Sequence, residues 1–325
     1  CPTYRRCAVA CVARLCRGRA VSGLMDGILN IDKPAGMTSH DVVGRVRRVL
    51  KTKRVGHAGT LDPDATGVLV VAVGIATRLL PFLPTEPKVY VARIAFGTAT
   101  DTEDASGRIT RESDASALTE DALQAVLPHF TGEIDQIPPM VSAVHHEGKR
   151  LYELAREGVT VERAARRVTI HEIRASDFAA GDRAEATLHV SCGGGTYIRT
   201  LCADIGEAVG VPAHMKTLRR DRVGNFHRDD ALTLDEMLQT PVEAIVQDWL
   251  LPIERALDLP TVAISDAEAV RVSRGQSVDA LLPPSQTEAV ALLYRERLLA
   301  IARYDSGELL PYRVFTGPLA EEPIA

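Results

Sequence analysis

The sequence has no long apolar run. The best of them, Val68 to Gly74, covers seven residues. That is far short of the roughly 20 needed to span a bilayer, so it reads as a buried strand. Cysteine is scarce beyond the first sixteen residues. Cys1, Cys7, Cys11 and Cys16 lie there, and only Cys192 and Cys202 follow. A body so poor in cysteine fits a reducing compartment. Spacings of six, four and five match no paired C-x-x-C zinc site. His40, His57, His145, His146 and His214 show no H-E-x-x-H or related metal spacing. A Gly-x-Ser-x-Gly elbow is missing, as is any G-x-G-x-x-G after a strand. Metal, serine-hydrolase and dinucleotide chemistry therefore lack support.

An excess of positive charge is also missing. The net formal charge is -5. It is unevenly spread: residues 1–24 carry five Arg and no acid, residues 25–228 carry 26 basic and 26 acidic residues, and residues 229–325 carry 7 and 17. Any argument for nucleic-acid binding must therefore rest on local basic clusters. Arg14, Arg17 and Arg19 interrupt any signal-peptide core, so secretion is not expected. The first 24 residues read as a basic arm, a targeting segment, or translation from upstream of a start at Met25. The last of these is preferred, and the segment is set aside from fold reasoning.

What is present spaces out as a mixed fold. A strand is expected at Gly27–Asp32, a Lys33-Pro34-Ala35-Gly36 turn, and a helix over Asp41–Lys51 capped by Thr38 or Ser39. A loop from Gly56 to Gly67 leads into the Val68–Gly74 strand, then a short helix over 76–83 and an alternating strand over Lys88–Phe96. Further strands are expected at 139–146, 166–178 and 183–192, and helices at 119–130, 149–157 and 196–209. No βαβ repeat is regular, so the class is α+β with a mixed, mostly antiparallel sheet. After Leu250, Pro252 and Pro260 mark a boundary, and three short strands joined by tight turns predict a small β-rich module. The expected divisions are 1–24, 25–250 and 251–325.

Several segments could carry chemistry. Arg54 to Gly67 sets His57, Asp62, Asp64 and Thr66 on a glycine-punctuated loop, with Pro63 stiffening the backbone beside Asp62. Asp-Pro-Asp-x-x-Gly is equally good turn chemistry, so the residues alone leave both readings open. In Cys192-Gly-Gly-Gly-Thr-Tyr197-Ile-Arg199, three glycines lead into a helix start that could meet an anion or serve as a plain connection. The acids of 97–107 do not fit an EF-hand, because Ser106 stands where Gly is needed, and a solvated loop is expected. Residues 44–54 hold six basic residues and no acid, which favours a phosphate-facing surface over a merely solvated one. Lys149 and Arg150, and Arg219 with Arg220, add two smaller basic clusters.

GHAGTLDPDATGVL resembles the signature of the bacterial tRNA pseudouridine synthase B (TruB) family. GILNIDKPAGMTSHDVV, FGTATDTEDASG, IPPMVSAVHHEGKRLYELAREG and GGGTYIRTLCADIGEAVG followed by AHMKTLRR are similar to further family blocks, in family order. The resemblance implies a tRNA pseudouridine synthase acting on uridine 55 of the TΨC loop, with Asp62 as catalytic carboxylate. It implies Arg199 as that carboxylate's partner, Tyr90 as the platform for the base, Tyr197 and Leu218 in the pocket, and His57 near the flipped nucleotide. Lys33 matches the family's Lys-Pro, and Arg78 stands where the family has a lysine. RNA contacts are expected at Lys33, Arg45, Arg48, Lys51, Lys53, Arg54, Arg78, Lys149, Arg150, Arg219 and Arg220. The tail resembles a PUA-like RNA-binding module, although its acidity argues against RNA contact. The tRNA TΨC stem-loop is the implied partner. No cofactor, metal or membrane is implied, and a cytoplasmic monomer is expected. The competing readings are a tRNA-binding folding factor and a glycoside hydrolase using Asp62 and Asp64. In the latter, two carboxylates so close on one turn are badly placed to flank a sugar.

Overall fold

The computed structural model describes residues 25–140, 145–146, 149–150, 159, 161–280 and 289–315. The expectations for residues 1–24 and 141–144, and for the greater part of 149–157, lie outside these residues.

The strands, in chain order, begin with β1 (Gly27–Lys33), β2 (Val55–Ala58), β3 (Thr66–Val73) and β4 (Lys88–Phe96). Next come β5 (Thr98–Thr100), β6 (Ile109–Glu112), β7 (Gly132–Gln136), β8 (His145–His146) and β9 (Lys149–Arg150). They continue with β10 (Arg166–Ala179), β11 (Glu185–Cys192), β12 (Ala213–Val223), β13 (Phe226–His227) and β14 (Leu232–Thr233). The chain ends in β15 (Thr261–Ala263), β16 (Val278–Asp279), β17 (Val290–Tyr294), β18 (Arg297–Asp305) and β19 (Glu308–Val314). The main helices are α1 (Ser39–Val49), α2 (Glu120–Val126) and α3 (Ile198–Ala208).

The principal sheet runs β14-β1-β3-β12-β4-β11-β10-β7, with β2 on β3 and β13 on β12. Only β1–β14 and β12–β3 pair in parallel, so the sheet is mixed and mostly antiparallel, as expected. Strand β3, TGVLVVAV, explains its own continuous apolar run because both of its faces are covered. Leu69, Val71 and Val73 pack with Val42, Val43 and Val46 of α1. Val68, Val70 and Ala72 point the other way, into a cluster that includes Leu298, Ile301 and Phe315. The C-terminal sheet, β15-β17-β18-β19-β16, thus shares a core with the principal sheet. A third core lies under α2 and α3, where Tyr90, Ala92, Ile94 and Phe96 of β4 meet Leu123, Leu201 and Ile205.

Helix α1 starts as its sequence dictates. Thr38 accepts from the Asp41 backbone N–H and Asp41 reaches back to the Thr38 N–H, a closed capping box. Three expectations are corrected. The segment from Gly56 is not all loop, since Val55–Ala58 pairs with Val70–Val73. The helix expected over 76–83 is a 3₁₀ helix, Gly74–Phe82, with Pro81 inside it. Lys149 and Arg150 form a strand rather than open a helix. The largest omission is β12, a central strand whose charged residues hide its alternation.

Gly67 lies where β3 meets β12. Its φ is +100, and a Cβ there would sit 2.1 Å from the Arg220 carbonyl oxygen. Gly36, at φ +76, has nothing within 4 Å of such a Cβ. Gly67→Ala should lower unfolding free energy in urea melts by about 2–4 kcal/mol, from backbone strain plus overpacking. Gly36→Ala should cost only about 1 kcal/mol, the left-handed penalty alone. Equal losses would show that the β3–β12 approach yields easily.

Candidate active site

The loop between β2 and β3, residues 59–65, is gripped by side chains from four distant segments. Ser39, the first residue of α1 and almost wholly buried, hydrogen-bonds Leu61 twice: its Oγ accepts from the Leu61 N–H at 2.9 Å and donates to the carbonyl at 3.3 Å. Lys33 Nζ, at the end of β1, donates to the carbonyls of Pro34, Met37 and Pro63 at 2.6–2.8 Å. Arg220 on β12 donates to the Gly59 carbonyl at 2.9 Å and more weakly to that of Thr60 at 3.5 Å. Within the loop, the Ala65 N–H closes a turn onto the Asp62 carbonyl at 3.1 Å.

The fourth grip falls on the carboxylate itself. Arg199, in the first turn of α3, meets Asp62 edge-on: Nε lies 3.1 Å from Oδ2 and Nη2 lies 3.4 Å from Oδ1. The Arg199 side chain is 5 % exposed and that of Asp62 38 %, so the guanidinium forms the floor and the carboxylate faces the opening. Nη1 of Arg199 turns to the Thr102 carbonyl at 3.3 Å and approaches Asp104 at 3.7 Å. The acidic 97–107 segment is therefore not merely solvated, because it supplies acceptors behind Arg199. Thr200 adds a 2.6 Å bond to Glu103.

Tyr90 and Leu218 lie on adjacent strands and belong to the same core as Leu61 and Ala65 of the loop. Tyr197 caps α3 at its N-terminus, with its backbone N–H and carbonyl both bonded to the buried side-chain amide of Gln136. His57 on β2 packs edge-on against His40, ring centres 5.5 Å apart, and its buried Nδ1 has no hydrogen-bond partner.

The basic residues divide. Arg48, Lys51, Lys53 and Arg54 are exposed and Arg45 is half-buried, on the last turns of α1 and the chain beyond. Ser39 anchors the other end of that 11-residue helix at the loop, so the basic end lies roughly 16 Å away. Arg78 is exposed and stacks over Phe315, just beyond β19, at 5.2 Å. Lys33 and Arg220, expected at an RNA face, are instead buried, at 0 % and 1 %. Backbone carbonyls, not phosphates, satisfy them. Arg219 is half-exposed but paired with Asp221 at 2.6 Å. The side chains of Lys149 and Arg150 lie outside the description.

Sequence reasoning missed Ser39, Asp104 and Gln136. None bears a local signal, since each acts on a partner 22 to 95 residues away. It also missed Lys88, on the same face of β4 as Tyr90, with its Cε 3.9 Å from a Cβ built on Gly59. Burial lowers the Lys88 pKa, as does the nearby Arg220 charge.

Electrostatics set the protonation states. Burial raises the Asp62 pKa and outweighs the lowering effect of Arg199 and Lys33, while Asp104 and Asp64 add to the rise. Arg199 thus limits the upward shift rather than producing a net fall. Burial lowers the Lys33 pKa to about 8, although Asp64 and Asp62 oppose it. Burial, with the charges of His40 and Arg220, lowers that of His57 and favours the neutral ring. Burial raises the Tyr90 pKa, so the phenol keeps its proton at neutral pH. Among the described residues no cluster of three or more His, Cys, Asp or Glu side chains could hold a metal ion. No helix there is long and apolar enough to cross a membrane.

Removing the Arg199 charge removes the largest influence holding the Asp62 pKa down. Carbon-13 NMR titration of Asp62 should therefore show a midpoint above 3.8 in the native chain and a higher one in Arg199→Gln. A midpoint unchanged or lowered in the variant would contradict this electrostatic assignment.

Comparison with known proteins agrees with this architecture. Residues 47–198 match the TruB family pseudouridylate synthase (N terminal domain), and residues 199–258 match the tRNA pseudouridylate synthase B C-terminal domain. A tRNA pseudouridine synthase B of Symbiobacterium thermophilum is 50% identical over 252 residues, covering 77% of this chain and 82% of the relative. The protein of the same name from Streptococcus sanguinis is 44% identical over 297 residues, covering 90% of this chain and 100% of the relative. Among solved structures, one described as a Cbf5-Nop10-Gar1 complex contains a chain 27% identical to this one. It superposes with a TM-score of 0.67 over 92% of this chain and 88% of that one. With both family domains in order and relatives matched over most of its length, the chain belongs to the TruB family of pseudouridine synthases.

Proposed function

We propose that this chain isomerises a uridine of transfer RNA, uridine 55 of the TΨC loop, to pseudouridine, with Asp62 as the catalytic carboxylate. The observation that carries the reading is the Asp62–Arg199 pair. A carboxylate open on one side is locked on the other by a buried guanidinium, beside the buried ring of Tyr90. The relatives named above bear the same activity in their names.

The reaction breaks the bond between base nitrogen and ribose, turns the base, and joins carbon 5 of the uracil to the same ribose carbon. The carbon-5 proton is lost, the released nitrogen gains one, and no electrons enter or leave. Breaking the glycosidic bond builds positive character on the ribose carbon, which an ionised carboxylate meets directly. Asp62 fits that task because Arg199 holds both oxygens in one plane and favours the charged form against burial. The uridine must leave its stack to reach a recessed carboxylate, and an aromatic ring beside Asp62 gives the base a surface to rest on. The neutral His57 ring and Leu218 complete the walls. The exposed cations at Arg48, Lys51, Lys53, Arg54 and Arg78 supply phosphate contacts around the site.

Tritium release from tRNA labelled at uracil carbon 5 should occur with the native chain. It should fall at least about 10⁴-fold in Asp62→Asn, as for loss of a reacting group. The rate should rise with pH through the raised Asp62 pKa, so its acid limb lies above 3.8, the ordinary aspartate value. Release undiminished in Asp62→Asn would remove Asp62 from the chemistry. Replacing Lys51, Lys53 and Arg54 together with Ala should weaken tRNA binding and flatten the slope of log affinity against log salt by about 0.7–0.9 per lost phosphate contact. An unchanged slope would place the RNA elsewhere.

A further inference from the structure

Arg220 has the largest fully buried side chain among the described residues. A buried cation needs a reason. Its guanidinium carries five donors in a rigid fork, and all three of its nitrogens are engaged. Nε donates to the Val68 carbonyl of β3 at 2.8 Å, Nη2 to Gly59, and Nη1 toward Thr60. Tyr90 is the residue directly across from Arg220 on β4, and its phenol lies near enough for the guanidinium charge to act on it. One residue thus joins three elements: its guanidinium bonds the strand that follows the Asp62 loop and the start of that loop, and its backbone stands in register with Tyr90. Unlike that of Arg199, its guanidinium bonds backbone carbonyls and not the Asp62 carboxylate.

Given Asp62 as the carboxylate and Tyr90 as the base platform, we propose that Arg220 is a positioning residue that sets the distance between the two. Its backbone is held in register with Tyr90 while its guanidinium holds the loop at Gly59 and Thr60, so one residue spans the gap from ring strand to loop. Lysine would keep the charge but lose the fork, because an ammonium is one point and cannot hold the carbonyls of Val68, Gly59 and Thr60 from one plane. The neighbouring backbone leaves little slack. Gly67 approaches the Arg220 backbone so closely that no Cβ fits, and Gly59, at φ +74, would bring a Cβ to 3.5 Å from Nη1. A shift in Arg220 therefore passes to the loop rather than being absorbed locally.

The test separates positioning from RNA contact by measuring tRNA affinity, its salt dependence and single-turnover rate for native chain, Arg220→Lys and Arg220→Gln, with thermal melts as a folding control. Expected is a fall in rate of about 10²-fold, the scale of an ångström misplacement, with tRNA affinity within about twofold of native and an unchanged salt slope. Gly59→Ala, which strains a residue at φ +74 and sets a Cβ 3.5 Å from Nη1, disturbs the loop end of the same linkage and should lower the rate without weakening binding. Its effect should not add to that of Arg220→Lys, because both cut one linkage. Should neither Arg220 variant fold, Gly59→Ala alone decides, and a native rate there overturns the proposal. Weakened binding with a shallower salt slope and a native rate would make Arg220 a phosphate contact instead, and strictly additive losses would also overturn the linkage. An inactive native chain would sink the synthase reading itself, whereas an active one with such variants would sink only the role of Arg220.

Discussion

A carboxylate that must stay charged while largely enclosed sets the terms for everything around it. Desolvation pushes Asp62 toward its protonated form, and the guanidinium of Arg199, 3.1 Å away, opposes that push. The arginine must itself be buried to act strongly, so it needs further acceptors, which Thr102 and Asp104 supply from an otherwise unremarkable loop. The loop bearing Asp62 must not follow the pull of its partner, so Ser39, Lys33 and Arg220 tie its backbone in place. Three buried cations converge on one short loop, yet only Arg199 touches the carboxylate in the bonds described.

This arrangement explains why the site stands at the junction of sheet and helices. β3 is apolar on both faces and fixes the end of the loop, while β12 brings Arg219 and Arg220 into register with Thr66 and Gly67. Helix α1 delivers Ser39 at one end and its exposed cations at the other. The pattern suits recognition of a folded RNA, in which charge along the rim meets phosphates and a recess accepts one extruded base. The C-terminal sheet shares its core with the back of β3, so its packing supports the same strand.

Much of the fold was legible from periodicity. β4 keeps the expected bounds, and three of the five C-terminal strands, β17, β18 and β19, are the three expected there, because alternation and tight turns report local geometry. β12 was not legible. Lys216, Arg219, Arg220 and Arg222 interrupt its apolar pattern, and a charged residue gives no sign of whether carbonyls or water will surround it. For the same reason Lys33 and Arg220 read as surface cations. The Asp62–Arg199 pair spans 137 residues, so spacing could not reveal it, and only resemblance to a family joined the two. Ser39 and Asp104 act through backbone and second-partner contacts that no motif spells out. The direction of the Asp62 shift also escaped, since sequence shows the nearby charge but not the burial that outweighs it.

The central claim is that this recess converts one uridine, at one place, in a folded tRNA. The most direct measurement is to incubate an unmodified tRNA transcript with a molar excess of the native chain, then locate pseudouridine by nuclease mapping and mass spectrometry of the fragments. Expected is one pseudouridine per tRNA, in the TΨC loop at position 55, and none elsewhere. Pseudouridine at a different position, or none under conditions where the tRNA is bound, would contradict it.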